Sequence, residues 1–284
     1  EGTSVSGDLV LVDEPIQLVR RLTLNRPGKR NAMNNALRTE LFAQLRAADV
    51  DREVRVIVLR GSGSAFCSGY DLRRGRDVPT ELSHHTAIED GYWPRHVLAG
   101  WFEMWDYATP VIAQVHGWCL AGGSELATAC DLVYVADDAQ IGYPPVRMMS
   151  SPDMAWHPWL LGMRRGLEAV LTGDAMTGVE AAAAGFATRS FPADELEDAV
   201  LAAAAKVAKI PHDILAVNKR SFHRSMEIMG IRDAMRAATD ISALGMRSKS
   251  SVAYAKQLAE NVTAALTARD GAFGDYRTTE TSSS

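Results

Sequence analysis

Cys119-Leu120-Ala121-Gly122-Gly123-Ser124-Glu125-Leu126 stands between two apolar runs, Val111-Ile112-Ala113-Gln114-Val115 before it and Leu132-Val133-Tyr134-Val135 after it. Both runs are short and rich in β-branched residues, which predicts strands buried in a sheet. Between them lies room for one short helix, opened by a Gly pair and closed before Cys130-Asp131. Strand, helix, strand in this order predicts an α/β fold with parallel pairing. The Gly pair lets a ligand approach the backbone closely. A helix N-terminus also presents unpaired N–H groups at the positive end of its dipole. Such a place suits an oxygen that gains negative charge during a reaction. Glu125 is near enough to handle a proton at the same centre. The same pattern also suits a tight packing turn with an acid favouring the dipole.

Upstream, Leu9–Val12 and Gln17–Leu24 read as two strands parted by an Asp13-Glu14-Pro15 turn. A polar, cation-rich loop, Asn25 to Asn31, leads to a helix that Asn34 or Asn35 can cap. Leu37, Leu41, Leu45 and Ala48 form its apolar stripe. Val54–Leu59 then reads as a buried parallel strand. Gly61-Ser62-Gly63-Ser64-Ala65-Phe66 fails as a dinucleotide fingerprint, because Phe66 stands where the third Gly is needed. It remains a Gly-spaced loop beside a strand end, where open α/β folds bind ligands.

Residues 74 to 107 carry His84-His85, Trp93, Trp101, Phe102 and Trp105. The histidines have no metal-binding spacing, so no metal site is expected. Trp101 and Trp105 share one helix face, and the aromatics read either as a flap shaping an acyl pocket or as core. After Gln140 the chain is loop-like through Tyr143-Pro144-Pro145 and Ser150-Ser151-Pro152-Asp153. Helical character resumes at 159–171, Thr188–Phe191 reads as a short strand, and the chain is helical from Ala193. The expected organisation is an α/β core over 1–192, a helical region over 193–270 and a frayed tail over 271–284.

A formal charge of −5 argues against a nucleic-acid binder, which would carry a basic face. No run is long enough for a membrane span. Cys67, Cys119 and Cys130 lack paired spacing and read as reduced thiols of a cytoplasmic protein.

The order of these pieces resembles the crotonase superfamily of enoyl-CoA hydratases and isomerases. The carriers are Leu24-Asn25-Arg26-Pro27 with Asn31-Ala32-Met33, Ala65-Phe66-Cys67-Ser68-Gly69-Tyr70-Asp71-Leu72, Pro110–Ala113, Gly117 through Asp131, and Leu171-Thr172-Gly173. The resemblance implies an α/β fold with a spiral core of repeated ββα turns and C-terminal helices for trimerisation, as a homotrimer or a dimer of trimers. It implies an acyl-CoA thioester as substrate, coenzyme A being part of that substrate and no separate cofactor being needed. By match, the N–H groups of Tyr70 and Gly122 form an oxyanion hole, and Glu125 is the proton-transferring residue with a pKa raised by burial. Arg30 and Arg73 are placed for the phosphates, and Ala32, Ser68, Tyr70, Asp71, Leu72 and Gly122 for the rest of the acyl-CoA.

One departure bears on the chemistry. Hydratases of the superfamily carry a second glutamate where this chain has Pro145. Asp153 lies where some isomerases and dehalogenases have a functional aspartate; it could equally cap a helix starting at Met154. His157 is a third candidate proton carrier. The expected reaction is therefore a proton shift or double-bond migration by Glu125, with Asp153 as second proton site. The rivals are hydration by Glu125 alone, retro-Claisen C–C hydrolysis, and a non-catalytic acyl-CoA-binding trimer. A serine hydrolase through Ser124 fails, because Leu126 replaces the elbow's second Gly.

Overall fold

The computed structural model describes residues 8–72 and 96–274. β1 (Val10–Ile16) and β2 (Val19–Leu24) form an antiparallel hairpin, followed by α1 (Asn35–Val50), β3 (Val56–Gly61) and β4 (Ala65–Cys67). α2 (His96–Asp106), β5 (Val111–Val115), β6 (Trp118–Leu120), α3 (Gly122–Ala129), β7 (Leu132–Ala136) and β8 (Gln140–Gly142) come next. The smaller elements that follow are α4 (His157–Leu160), α5 (Gly162–Thr172), β9 (Met176–Thr177), α6 (Gly178–Ala184) and β10 (Arg189–Phe191). Five helices close the described chain: α7 (Leu196–Ala208), α8 (His212–Ile228), α9 (Ile231–Gly245), α10 (Lys249–Glu260) and α11 (Val262–Gly271).

One sheet has the order β1-β2-β3-β5-β7-β10 and the other β4-β6-β8-β9. Each turn of the chain sends one strand to each sheet, so β3, β5 and β7 stack in parallel in the larger and β4, β6 and β8 in the smaller. This is the expected spiral. Its central strands are buried because α7 and the smaller sheet cover them: all five residues of β5, Gln114 included, are buried.

The local readings hold where side-chain chemistry is specific. The Asn34 side chain accepts from the Leu37 N–H at 3.0 Å, capping α1, and Leu37, Leu41, Leu45 and Ala48 are all fully buried. The hairpin turn is a correction. β1 runs on through Asp13-Glu14-Pro15, and the turn is Gln17-Leu18, with Leu18 at φ 65°. Pro15 is tolerated because β1 is an edge strand with a register shift between Asp13 and Ile16. Asp13 and Glu14 are held there by Arg21 and Arg20.

α7 lies across the larger sheet through Leu196, Val200, Ala204 and Ala208. α8 and α9 pack on α2, which buries Trp101, Phe102 and Trp105 in the core. No helix among the described residues is long and apolar enough to cross a membrane. His84, His85 and Trp93 lie outside the described residues.

Candidate active site

The loop after β4 is fixed from below by Asn31. This residue sits at φ 55°, is fully buried, and donates from its amide to the Ser62 and Ala65 carbonyls at 2.9 and 2.8 Å. Its side-chain oxygen accepts from the Arg26 N–H at 2.9 Å. Asparagine fits both demands, since it tolerates the left-handed region and has a donor and an acceptor to place. Met33 then pairs with the loop: its N–H donates to the Gly69 carbonyl at 2.8 Å and its carbonyl accepts from the Asp71 N–H at 2.9 Å. The intervening Tyr70 N–H is left pointing away from that bridge, with no acceptor among the described residues.

The second loop meets the first at Gly69, whose φ of 101° requires glycine. A Cβ there would lie 2.9 Å from the Ala121 Cβ and 3.3 Å from the Gly122 nitrogen. Ala121 sits at φ 51°, ψ −123°, a strained conformation for a residue with a side chain. Its carbonyl accepts from the Ser124 and Glu125 N–H groups. The N–H of Gly122, at the first position of α3, has no acceptor among the described residues. Two free backbone donors on touching loops are the arrangement an oxyanion asks for.

Glu125, in the first turn of α3, is fully buried. The Tyr70 hydroxyl donates to its Oε2 at 2.8 Å and the Tyr143 hydroxyl to its Oε1 at 2.9 Å. Tyr143 also accepts from the Asp153 N–H at 3.3 Å. Burial, and after it the charge of Asp153, raises the Glu125 pKa to about 7; the two phenols and the nearby Trp101 indole N–H oppose this. The indole nitrogen lies close without completing a hydrogen bond. Burial first, and the Glu125 charge second, pushes both phenols well above their usual range, so they remain donors. The Tyr70 ring lies against Gly122, where a Cβ would come within 2.6 Å of Cε2.

A buried, half-protonated carboxylate beside two free N–H groups can take a proton from a carbon next to a carbonyl and return it. The enoyl-CoA hydratase/isomerase family model matches residues 16–267. The chain belongs to that family. A protein of Rhizobium meliloti (strain 1021) named "Probable enoyl-CoA hydratase" is 34% identical over 210 residues, 73% of this chain and 78% of that one. The 2,3-dehydroadipyl-CoA hydratase of Escherichia coli (strain K12) is 32% identical over 217 residues, 75% and 81% of the two chains. An enoyl-CoA hydratase structure from Mycobacterium smegmatis superposes with a TM-score of 0.84 at 26% identity, covering 95% of each chain.

Within this hydratase/isomerase scaffold the other expected site residues take different parts. The Ser68 N–H donates to the Arg30 carbonyl at 2.9 Å, and the Arg30 guanidinium stands 6.0 Å from the Trp118 ring. Asp71 pairs with Arg26 at 2.9 Å, while the other arm of Arg26 donates to the Ala32 carbonyl. Together they brace the loop that carries Tyr70. Leu72 is half-buried at the end of this loop. Arg73 lies outside the described residues.

Asp153 is not a helix cap. α4 starts at His157, with Trp156 in the cap position and no side-chain cap bond. The Asp153 carbonyl accepts from the Thr239 hydroxyl at 2.8 Å, and burial raises its carboxyl pKa despite the Ser242 hydroxyl nearby. Its N–H bond to the Tyr143 hydroxyl places it beside a phenol that holds Glu125, and its charge helps raise the Glu125 pKa. His157 stacks on Trp156 at 3.7 Å, and burial drops its pKa to about 3, so it stays neutral. Pro145 is the second residue of a short 3-10 turn, Pro144–Arg147, which contains no acid.

Sequence reasoning missed Tyr143, the Tyr70 side chain and Trp101 as partners of Glu125. The available signal was Gly142-Tyr143-Pro144 at a strand end. A residue before proline is kept out of the helical region, and Tyr143, at φ −131°, ψ 64° just past β8, sets its hydroxyl on Glu125.

Proposed function

We propose that this chain acts on an acyl-CoA thioester by a proton shift that moves a double bond. Tyr70 and Gly122 N–H groups hold the thioester oxygen as it becomes enolate-like, and Glu125 carries the proton. This interaction is stronger for the enolate than for the neutral carbonyl, which is what accelerates the step. The observation that carries the reading is Glu125 itself. It is fully buried and held by two phenols, and by the family resemblance Pro145 stands where hydratases carry a second glutamate. Asp153 is the candidate second proton site.

Hydration is the second reading, favoured by the names of the relatives, most of which say hydratase. The two are separated by incubating crotonyl-CoA and a 3-enoyl-CoA in deuterated water with mass detection. Proton exchange and isomerisation with slow hydration support the first; rapid hydration by the unmodified protein replaces it with the second. Glu125→Gln keeps the shape without the base and should lower exchange at least about a hundredfold.

The assembly we propose is a homotrimer or dimer of trimers. Ile214, Val217, Phe222 and Ile228 on α8, and Met163, Leu167 and Leu171 on α5, are exposed apolar residues without cover in one chain. Light scattering should give a multiple of three; a stable 30.8 kDa species would refute it.

A further inference from the structure

Arg38 lies on α1, one turn past its cap, and is only 3% exposed. Its guanidinium stands 5.5 Å from the Tyr70 ring and 5.7 Å from the Trp101 ring. The Tyr70 hydroxyl donates to Glu125, and the Trp101 indole lies near the same carboxylate without bonding to it. Arg38 is therefore in the wall of the candidate active site. Its Nε and Nη2 are buried and have no hydrogen-bond partner among the described residues.

Other buried arginines are treated differently. Arg147, with its side chain 1% exposed, pairs with Asp174 and Asp270, and Arg269 pairs with Asp270 through two bonds. Even the exposed Arg46, two turns along α1 from Arg38, pairs with Glu103. An aromatic stack covers the faces of a guanidinium, whereas its N–H bonds lie in the plane and need acceptors there. Nε and Nη2 together form the edge that receives a carboxylate in two parallel bonds. A buried cation with that edge empty is costly unless something completes it.

We infer that the acyl group carries a second carboxylate, away from the thioester, which Arg38 receives on its open Nε/Nη2 edge. The substrate class is thus the CoA monothioester of a dicarboxylic acid. Glu125 and Asp153 are the acidic groups of the same neighbourhood, so the substrate carboxylate has its place at Arg38 and not beside them. The inference rests on the acyl-CoA reading above and narrows it.

The test compares binding by calorimetry of two saturated CoA thioesters of equal chain length, one ending in a methyl group and one in a carboxylate. The unmodified protein should favour the carboxylate by about tenfold to a hundredfold, the range of a charge-assisted pair. Arg38→Met should lose the preference, the two thioesters then binding alike; Arg38→Lys should keep part of it. Equal affinities in the unmodified protein, or a preference that survives in Arg38→Met, would overturn the inference. The unmodified protein alone decides the matter if Arg38→Met does not fold. Failure of both thioesters to bind would instead bring down the acyl-CoA reading itself.

Discussion

Two acids bracket α3, and the protein does opposite things to them. Glu125 in the first turn and Asp131 just past the end are both largely removed from water. Around Glu125 stand phenols, an indole and another acid, and its pKa rises to about 7. Around Asp131 stand Lys219 Nζ and His223 Nε2, each at 2.8 Å, and the Val111 N–H, also at 2.8 Å. Burial pushes Asp131 up as well, but Lys219 and then His223 pull it below the usual range. Burial alone therefore does not make a reactive acid. What decides is whether the partners carry a compensating positive charge. Asp131 is a rivet between α8 and the α3–β7 junction, and Glu125 is left poised to exchange a proton.

The largest expected effect breaks the riveted side. Lys219 also donates to the Met104 and Thr109 carbonyls, at 2.8 and 3.1 Å. Lys219→Met leaves Asp131 buried without its cation and should cost roughly 3–5 kcal/mol in denaturant unfolding. Glu125→Gln should do the reverse at pH 8. Because the folded pKa of Glu125 lies above its unfolded value, the folded state binds that proton more tightly, and stability falls as pH rises from about 4.5 to about 7. Removing the acid relieves up to about 3 kcal/mol above that window. For Asp131, whose folded pKa is depressed, the contribution is present above the ordinary carboxylate range and is lost as pH falls through the folded value. Equal loss from both variants at pH 8 would erase the contrast.

A smaller effect is expected at Gly122. An alanine Cβ there would stand 2.6 Å from the Tyr70 ring, pushing ring and hydroxyl away from Glu125 beside the free N–H groups. Gly122→Ala should lower turnover by about a hundredfold, as for a lost oxyanion donor, and the crowding should cost about 1–3 kcal/mol of stability. Unchanged turnover would mean that the Tyr70 ring and the Gly122 N–H play no part.

Much of this could be read in the sequence because the chemistry is local. Asn34 caps because it precedes the α1 stripe, and the short α3 follows from the spacing of β5 and β7. The Tyr143 contact was not legible, since it joins residues 18 apart through the rest of α3 and two strands, β7 and β8. Arg38 was hidden for the same reason: on a helical wheel it is a polar residue beside Leu37, and only the fold brings Tyr70 and Trp101 over it. The β1 turn was misplaced because proline signals a turn by itself, whereas an edge strand can accept it.

The smallest expected effect is Tyr143→Phe. Losing the donor to Oε1 weakens the ionised form, so the Glu125 pKa should rise by about one unit and the acid limb of proton exchange should move up with it. A limb that stays in place would remove Tyr143 from the account.

The most direct measurement of the contrast is a carbon-13 NMR titration of the side-chain carboxyls, with Glu125→Gln and Asp131→Asn used for assignment. The account predicts that Glu125 is half-protonated at about pH 7, while Asp131 stays ionised until below the ordinary carboxylate value. A Glu125 midpoint near 4.5, the value of an unperturbed glutamate, would contradict it.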